Sequence, residues 1–241
     1  MSLVASLPPP PADPSWLRAF LGAEARASAV LERCMEAETE LLEPRAVREV
    51  AAALPEGALL YASNSMPVRD LDAFLPVSSR RLRVLANRGA AGIDGMVSSA
   101  LGAAGAGQGP VTLLVGDVAL AHDLSGLFAA RRLGISLRIL VFDNEGGGIF
   151  SFLPIAEYGD RVNFEEIFLT PPQLDLEACA LAAGARYQRI TDYAQLRRAL
   201  EEAAEAPGLW LFHLPVDRER NVAVFRSVVE EVQAAWRAGT T

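Results

Sequence analysis

The chain has 241 residues, a formal net charge of −8, a pI near 4.9 and 51% apolar residues, so it can bury a full core without disulfide or metal staples. An acidic surface with no basic stripe repels a polyphosphate backbone, which excludes nucleic acid as a partner. All 22 basic residues are arginine, which removes P-loop nucleotide hydrolysis and pyridoxal chemistry, both dependent on a lysine.

Residues 1–10 lack the basic start and apolar stretch of a signal peptide, and the apolar runs are broken by Asp117 or Asp143 well short of a membrane span. The expectation is a cytoplasmic protein. Pro8 to Pro14 reads as a linker or extended crossing. Trp16 to Leu42 has helical spacing, and Pro44 to Leu54 resembles a short helix with its proline in the first turn.

From there the pattern alternates. Strands are expected at Leu59–Ala62, Leu82–Ala86, Val111–Val115, Leu137–Phe142, Arg186–Arg189 and Leu209–Leu214. Between them, helices are expected at Arg69–Phe74, Ile93–Ala106, Asp123–Arg132, Leu174–Ala183 and Tyr193–Ala204, with a final helix at Asn221–Ala238 and a loop or short helix at Ile149–Tyr158. Strands spaced by helices predict βαβ units: an α/β, doubly wound, mainly parallel sheet of about six strands with helices on both faces.

Cys34 and Cys179, each inside a helical pattern, are read as two buried free thiols. His213, in the apolar run Leu209–Leu214, is read as structural, which leaves His122 as the histidine available for site chemistry. No Gly-x-Ser-x-Gly elbow marks a Ser-His-Asp hydrolase.

Four segments begin just past apolar runs and therefore project from one edge of a parallel sheet, where open α/β sheets bind ligands. They are Asn64–Asp70, Asn87–Gly95, Gly116-Asp117 and Asp143–Leu153. Asp117 and Asn144 offer side-chain oxygens, and the glycines 146, 147 and 148 offer bare backbone, a donor set suited to Mg²⁺ or Ca²⁺ rather than zinc. Asp117 alone is equally a helix N-cap, but capping needs no glycine triplet beside Asn144. Gly89 and Gly92 permit either a tight strand-to-helix turn or close approach of amides to an anion. Arg69 and Arg88 are either solvated or placed for bidentate recognition of a carboxylate. Ile93, Ile149, Phe150, Phe152 and Leu153 either pack a lid or line a pocket.

Together these segments resemble the diphosphate-binding half of thiamine diphosphate enzymes, whose signature is Gly-Asp, an intervening helix, then Asn and a glycine: here Gly116-Asp117 to Asn144 and Gly146. Within that superfamily the segments Asn64-Ser65-Met66-Pro67-Val68-Arg69, Asn87 to Gly95 and Gly146 to Pro154 are similar to the menaquinone-pathway synthases that make 2-succinyl-5-enolpyruvyl-6-hydroxy-3-cyclohexene-1-carboxylate. The resemblance implies that residues 42–241 form the C-terminal, diphosphate-binding domain and residues 1–41 a linker with the end of a preceding central domain. It implies Mg²⁺ or Mn²⁺ on Asp117, Asn144 and the Gly146 carbonyl, gripping the diphosphate of thiamine diphosphate. Ile93 would keep that cofactor bent, while Arg88, Ile149 and Phe150 would contribute to its pocket. Ser65, Arg69, Arg88, Ile149, Phe150 and Leu153 would meet the substrates, 2-oxoglutarate and isochorismate.

Asp143 and Glu145 replace asparagines common in the superfamily motif. The family's activating glutamate belongs to a pyrimidine-binding domain, and no glutamate here matches it. The expectation is therefore a C-terminal piece of a longer homo-oligomeric enzyme, carrying no catalytic residue of its own and inactive alone. An acetolactate synthase or 2-oxo acid decarboxylase shares Asp117 and Asn144 but not the Ser65, Arg69 and Arg88 segments. A cofactor-binding module without chemistry remains a further reading, and a Rossmann enzyme is disfavoured because no Gly-x-Gly-x-x-Gly opens a helix after a strand.

Overall fold

The computed structural model describes residues 14–89 and 92–238. The chain divides into a large compact unit, Glu38–Phe225, and a small one built from the segments on either side of it. In the small unit α1 (Pro14–Ala37) meets the C-terminal part of α9 (Arg218–Ala238): Arg33 pairs with Glu231 at 2.7 Å and Arg26 lies over the Trp236 ring.

The large unit is built on six strands, β1 (Leu59–Ala62), β2 (Arg83–Ala86), β3 (Val111–Gly116), β4 (Leu137–Asp143), β5 (Arg186–Arg189) and β6 (Leu209–Pro215). They form one sheet in the order β2-β1-β3-β4-β6-β5, and every pairing is parallel. The expected doubly wound α/β architecture of six parallel strands is present. Side chains alternate across a strand, so both faces must be apolar where both are covered. Leu60, Leu114, Leu140 and Phe212 pack on one side with α2 (Glu43–Ala53) and α8 (Tyr193–Glu205). Leu113, Val115, Ile139 and Leu211 pack on the other with α4 (Met96–Gly105), α6 (Ser125–Leu133) and α7 (Leu176–Ala182). Each such Leu or Phe removed from water contributes about 1.5–3 kcal/mol. Between α4 and α6, Gly126 is required by contact, since a Cβ there would lie 2.7 Å from Val97 Cγ1.

From β1 the chain crosses to β2 on one side and then to β3 on the other. That reversal opens a crevice beyond the carboxyl ends of β1 and β3. Asn64 and Ser65 leave β1 there, Asp117 leaves β3, and Asn144 leaves the neighbouring β4.

Several expected boundaries move for identifiable reasons. The helix expected at Ile93–Ala106 starts only at Met96, because Gly95 at its N-cap adopts φ 66° and breaks the helical path. This leaves Ile93 in the preceding loop. The helix α3 (Met66–Phe74) begins three residues earlier than Arg69, with Pro67 accommodated in its first turn. The helix expected at Asp123–Arg132 is α6, which starts two residues later at Ser125, and a further short helix, α5 (Asp117–His122), precedes it. Asp123 sits in the break, its carboxylate accepting from the Ser98 N–H at 2.6 Å and the Ser98 hydroxyl at 2.9 Å on α4. The region after Asn144 continues past Tyr158 as two 3₁₀ segments, Gly148–Phe152 and Pro154–Val162, then a π turn, Glu165–Leu169. The helix α1 ends at Ala37 rather than Leu42, and α9 starts at Arg218 rather than Asn221. Cys34 and Cys179 are free but half-buried rather than buried, and the Cys34 thiol donates to Glu231 Oε2 at 3.5 Å. The proline stretch before Pro14, together with Ala90 and Ala91 of the glycine loop, lies outside the described residues.

Candidate functional site

The crevice holds a cavity of about 390 Å³ lined by Ser65, Arg69, Arg88, Ile93, Asp117, Asn144, Gly146, Ile149 and Phe150. Those are all but one of the residues that the resemblance assigned to metal, cofactor or substrate. Leu153 is the exception: it ends the 3₁₀ turn, does not line the cavity and is 46% exposed. Its expected place beside the substrate is not met by the cavity of this chain, whose wall is formed from that turn by Ile149 and Phe150. His122 also lines the cavity, its Nδ1 3.8 Å from the Asp94 carboxylate, with more than half of its side chain exposed.

Asp117 is buried at the first turn of α5, and no side chain caps that helix. The N-cap alternative is thereby replaced by a different role. One carboxylate oxygen, Oδ2, accepts from the Gly146 N–H at 2.7 Å. The other, Oδ1, is buried and meets no donor. Burial pushes the Asp117 carboxyl up to about 7. The Val118 and Gly146 amides oppose the rise, while the charges of Asp143 and Glu43 add to it.

Asn144 repeats the arrangement from β4. Its Nδ2 donates to Glu43 Oε1 at 2.7 Å, while its Oδ1 is buried without a partner. Buried polar atoms are rarely left unmade, since each costs roughly 1–3 kcal/mol. Two orphaned oxygens on adjacent strand ends are what a hard cation would satisfy. Among the described residues no group of three His, Cys, Asp or Glu side chains could hold a metal. An ion here would therefore use one carboxylate, one carboxamide, backbone oxygen and ligand phosphate or water, the pattern Mg²⁺ accepts.

The glycine triplet is explained by close approach. A Cβ on Gly146, whose φ is +131°, would lie 2.4 Å from Leu169 O. One on Gly147 would lie 2.8 Å from Phe168 O, and one on Gly148 would lie 2.7 Å from Asn144 Nδ2. The Gly147 N–H donates to Leu169 O and the Gly148 N–H to Gly146 O. Only bare backbone lets the π turn close against this loop.

On the β1 side Ser65 takes φ 71°, ψ −134°, a region that costs a side chain about 1–3 kcal/mol and concentrates at functional sites. The Arg69 guanidinium donates to Ser65 O at 2.7 Å and that of Arg88 to Asn64 Oδ1 at 2.6 Å. Buried Asn64 also donates to Asn87 O and Gly92 O, tying the glycine loop to β1. Both arginines stay exposed at the cavity edge.

Sequence reasoning passed over three groups. Glu43 and Asp70 are fully buried and lie against each other behind Asn144. No N–H reaches either Asp70 oxygen, and burial, then the Glu43 charge, holds its carboxyl well above the usual range. Burial raises Glu43 too, against hydrogen bonds from Asn144 and Asp70. Burial thus favours the protonated form at both carboxyls of the pair. The third group is a chain, Tyr187 hydroxyl to His213 Nδ1 at 2.8 Å and His213 Nε2 to Asp143 Oδ2 at 2.8 Å. The bond to His213 lowers the Asp143 carboxyl, and through that bond His213 holds the strand end that presents Asn144. Glu145 is exposed in left-handed backbone at φ 58°.

Relatives match over most of the chain. The synthase named 2-succinyl-5-enolpyruvyl-6-hydroxy-3-cyclohexene-1-carboxylate synthase from Myxococcus xanthus is 47% identical over 226 residues, covering 93% of this chain and 38% of that protein. The protein of the same name from Bacillus velezensis is 43% identical over 194 residues, covering 79% of this chain and 33% of its own length. The chain thus spans under two fifths of the curated relatives it matches. A benzoylformate decarboxylase structure from Polynucleobacter necessarius superposes with a TM-score of 0.60 over 73% of this chain and 33% of that chain at 20% identity, which shows the shared fold. Residues 71–214 match the family described as thiamine pyrophosphate enzyme, C-terminal TPP binding domain, and the chain belongs to that family.

Proposed function

We propose that this chain is the diphosphate- and metal-binding part of a thiamine diphosphate-dependent synthase that decarboxylates 2-oxoglutarate and adds the remaining four-carbon unit to isochorismate in menaquinone biosynthesis. The observation that carries the reading is the pair of buried, unpartnered oxygens, Asp117 Oδ1 and Asn144 Oδ1, at neighbouring strand ends. The identity to the synthases, 47% and 43% over most of this chain, supports the substrate assignment.

Asp117, Asn144 and the Gly146 carbonyl would hold Mg²⁺ or Mn²⁺ against the diphosphate. The bound cofactor would supply an electron sink for breaking and making the carbon–carbon bonds. The chain's own residues bind, orient and exclude water. Ile93 and Ile149 give the cavity apolar walls, and Phe150 stacks edge-on to Phe168 at 5.7 Å, closing its rim. Ser65, Arg69 and Arg88 line one side with two fixed cations, suited to the carboxylates of two multi-anionic substrates. The activating glutamate is assigned to a pyrimidine-binding domain of the same or a partner chain. The complete enzyme is read as cytoplasmic and homo-oligomeric, with residues 42–241 as this domain. No helix of the described residues is long and apolar enough to cross a membrane.

Following CO₂ release by the complete enzyme with thiamine diphosphate, Mg²⁺ and isochorismate tests the reading. Release that requires 2-oxoglutarate and disappears with Asp117→Ala is expected. A preference for pyruvate would replace it with the acetolactate synthase or decarboxylase alternative.

A further inference from the structure

We infer that Glu43 is a positioning residue for the metal site: it fixes which end of the Asn144 carboxamide faces the ion. The inference rests on the metal role proposed above for Asp117 and Asn144. A carboxamide has two faces of opposite character, a donor nitrogen and an acceptor oxygen, on atoms of similar size. If the nitrogen faced the ion, its N–H dipoles would repel the charge. Something must therefore break the near-symmetry, and in this site it is Glu43.

The Glu43 carboxylate can only accept, and its Oε1 takes the Asn144 Nδ2–H at 2.7 Å. That leaves Oδ1 as the free acceptor in the cavity, buried and without any other partner. The opposite orientation would set Oδ1 against Oε1, two acceptors at hydrogen-bond distance in a site closed to water. The amide is also confined from its far side, where the Gly148 backbone passes so closely that a Cβ would lie 2.7 Å from Nδ2 and 3.0 Å from Oδ1. Asn144 thus has room for its present plane and a partner that selects one of the two ways to occupy it.

Glu43 is itself rigidly seated. It opens α2 directly after Leu42, whose N–H is held by the Tyr193 hydroxyl of α8 at 2.9 Å. Buried Asp70 of α3 lies against it. Asp117 has the parallel device in the Gly146 N–H, which occupies Oδ2 and leaves Oδ1 open. Each side-chain ligand has one end tied by the protein and the other buried and unpartnered before any ion arrives. Such outer partners typically contribute 10- to 100-fold to metal affinity.

The test is Mn²⁺ affinity, read by electron paramagnetic resonance in the presence of thiamine diphosphate, for the 241-residue chain and its variants. Glu43→Leu is expected to weaken Mn²⁺ binding by about tenfold or more. Glu43→Gln keeps an acceptor for Asn144 and can donate to Asp70, so it is expected to recover most of that loss. Parent-like affinity in Glu43→Leu, or an equal loss in Glu43→Gln, would overturn the inference. If Glu43→Leu does not fold, Asn144→Asp decides. The new carboxylate faces the Glu43 charge, and adding Glu43→Gln gives it a donor, so the double variant is expected to bind Mn²⁺ about tenfold more tightly than Asn144→Asp alone. Equal affinities would overturn the inference. Asp117→Ala separates the two levels: if it binds Mn²⁺ like the parent, the metal reading itself fails, whereas its loss beside an unaffected Glu43→Leu defeats only the role of Glu43.

Discussion

Asp117 accepts the Gly146 N–H at 2.7 Å on one carboxylate oxygen and keeps the other buried and unpartnered. A residue at the end of β3 is thereby tied to the loop after β4. Replacing Asp117 by alanine removes a ligand and orphans the Gly146 amide together. Mg²⁺-dependent binding of thiamine diphosphate is expected to weaken by at least about 10- to 100-fold, measured by titration calorimetry.

The glycine loop has no room for a side chain. Gly146→Ala would combine a φ of +131° with a Cβ 2.4 Å from Leu169 O, so a loss of about 2–4 kcal/mol of unfolding free energy is expected. Denaturant titration of the metal-free chain reads this directly. An unchanged midpoint would mean the π turn does not close on the loop as described.

Under the proposed reading the charges of both arginines act on the substrate carboxylates, with Arg88 bordering the cofactor pocket as well. Arg69→Ala or Arg88→Ala in the complete enzyme is expected to leave cofactor affinity near parent and to lower kcat/KM for the carboxylate substrates roughly 10- to 150-fold, the equivalent of one charged hydrogen bond. Steady-state kinetics with cofactor held saturating would show the split. A matching fall in cofactor affinity would place these side chains on the diphosphate instead.

Protons and metal compete at Asp117. Its folded-state carboxyl titrates near 7 against an ordinary value of 3.8, so folding favours the protonated form. In metal-free protein that contribution is fully present below about pH 4 and is lost as pH rises through about 7. A divalent ion binds only the deprotonated form. The rise in Tm on adding Mg²⁺ is therefore expected to be larger at pH 8 than at pH 6, by thermal melts at both. Equal shifts at the two values would detach the ion from this carboxylate.

Tyr193 links α8 to the start of α2 through its hydroxyl, which holds the Leu42 N–H and the Glu40 carbonyl. Burial pushes that hydroxyl up to about 12, so it stays a donor throughout the working range. Tyr193→Phe leaves a buried N–H and C=O unmade and is expected to cost about 1–3 kcal/mol, again by denaturant titration.

Much of this was legible in the sequence because local rules and global fold agree. The apolar runs around Leu113 and Ile139 are continuous because both sheet faces are covered, and the residues just past each run must lie at one sheet edge. Asp117, Asn144 and the glycines were found that way. Glu43 was not, because its partner Asn144 is 101 residues away and a glutamate beside Pro44 at a helix start has an ordinary local explanation. Asp123 was misread for the same reason: its acidity fits a helix start, whereas its carboxylate answers to Ser98, 25 residues back. Leu153 was assigned to the pocket because it is apolar in a site loop, yet apolarity gives no direction, and it stands exposed at the end of the 3₁₀ turn.

The central claim is that Asp117, Asn144 and the Gly146 carbonyl share one divalent ion. A crystal structure with Mn²⁺ and thiamine diphosphate, read at the manganese absorption edge, tests it most directly. One anomalous peak within about 2.0–2.3 Å of Asp117 Oδ1, Asn144 Oδ1 and Gly146 O, touching the diphosphate, is predicted. A peak elsewhere, with those two side-chain oxygens still unpartnered, would contradict it.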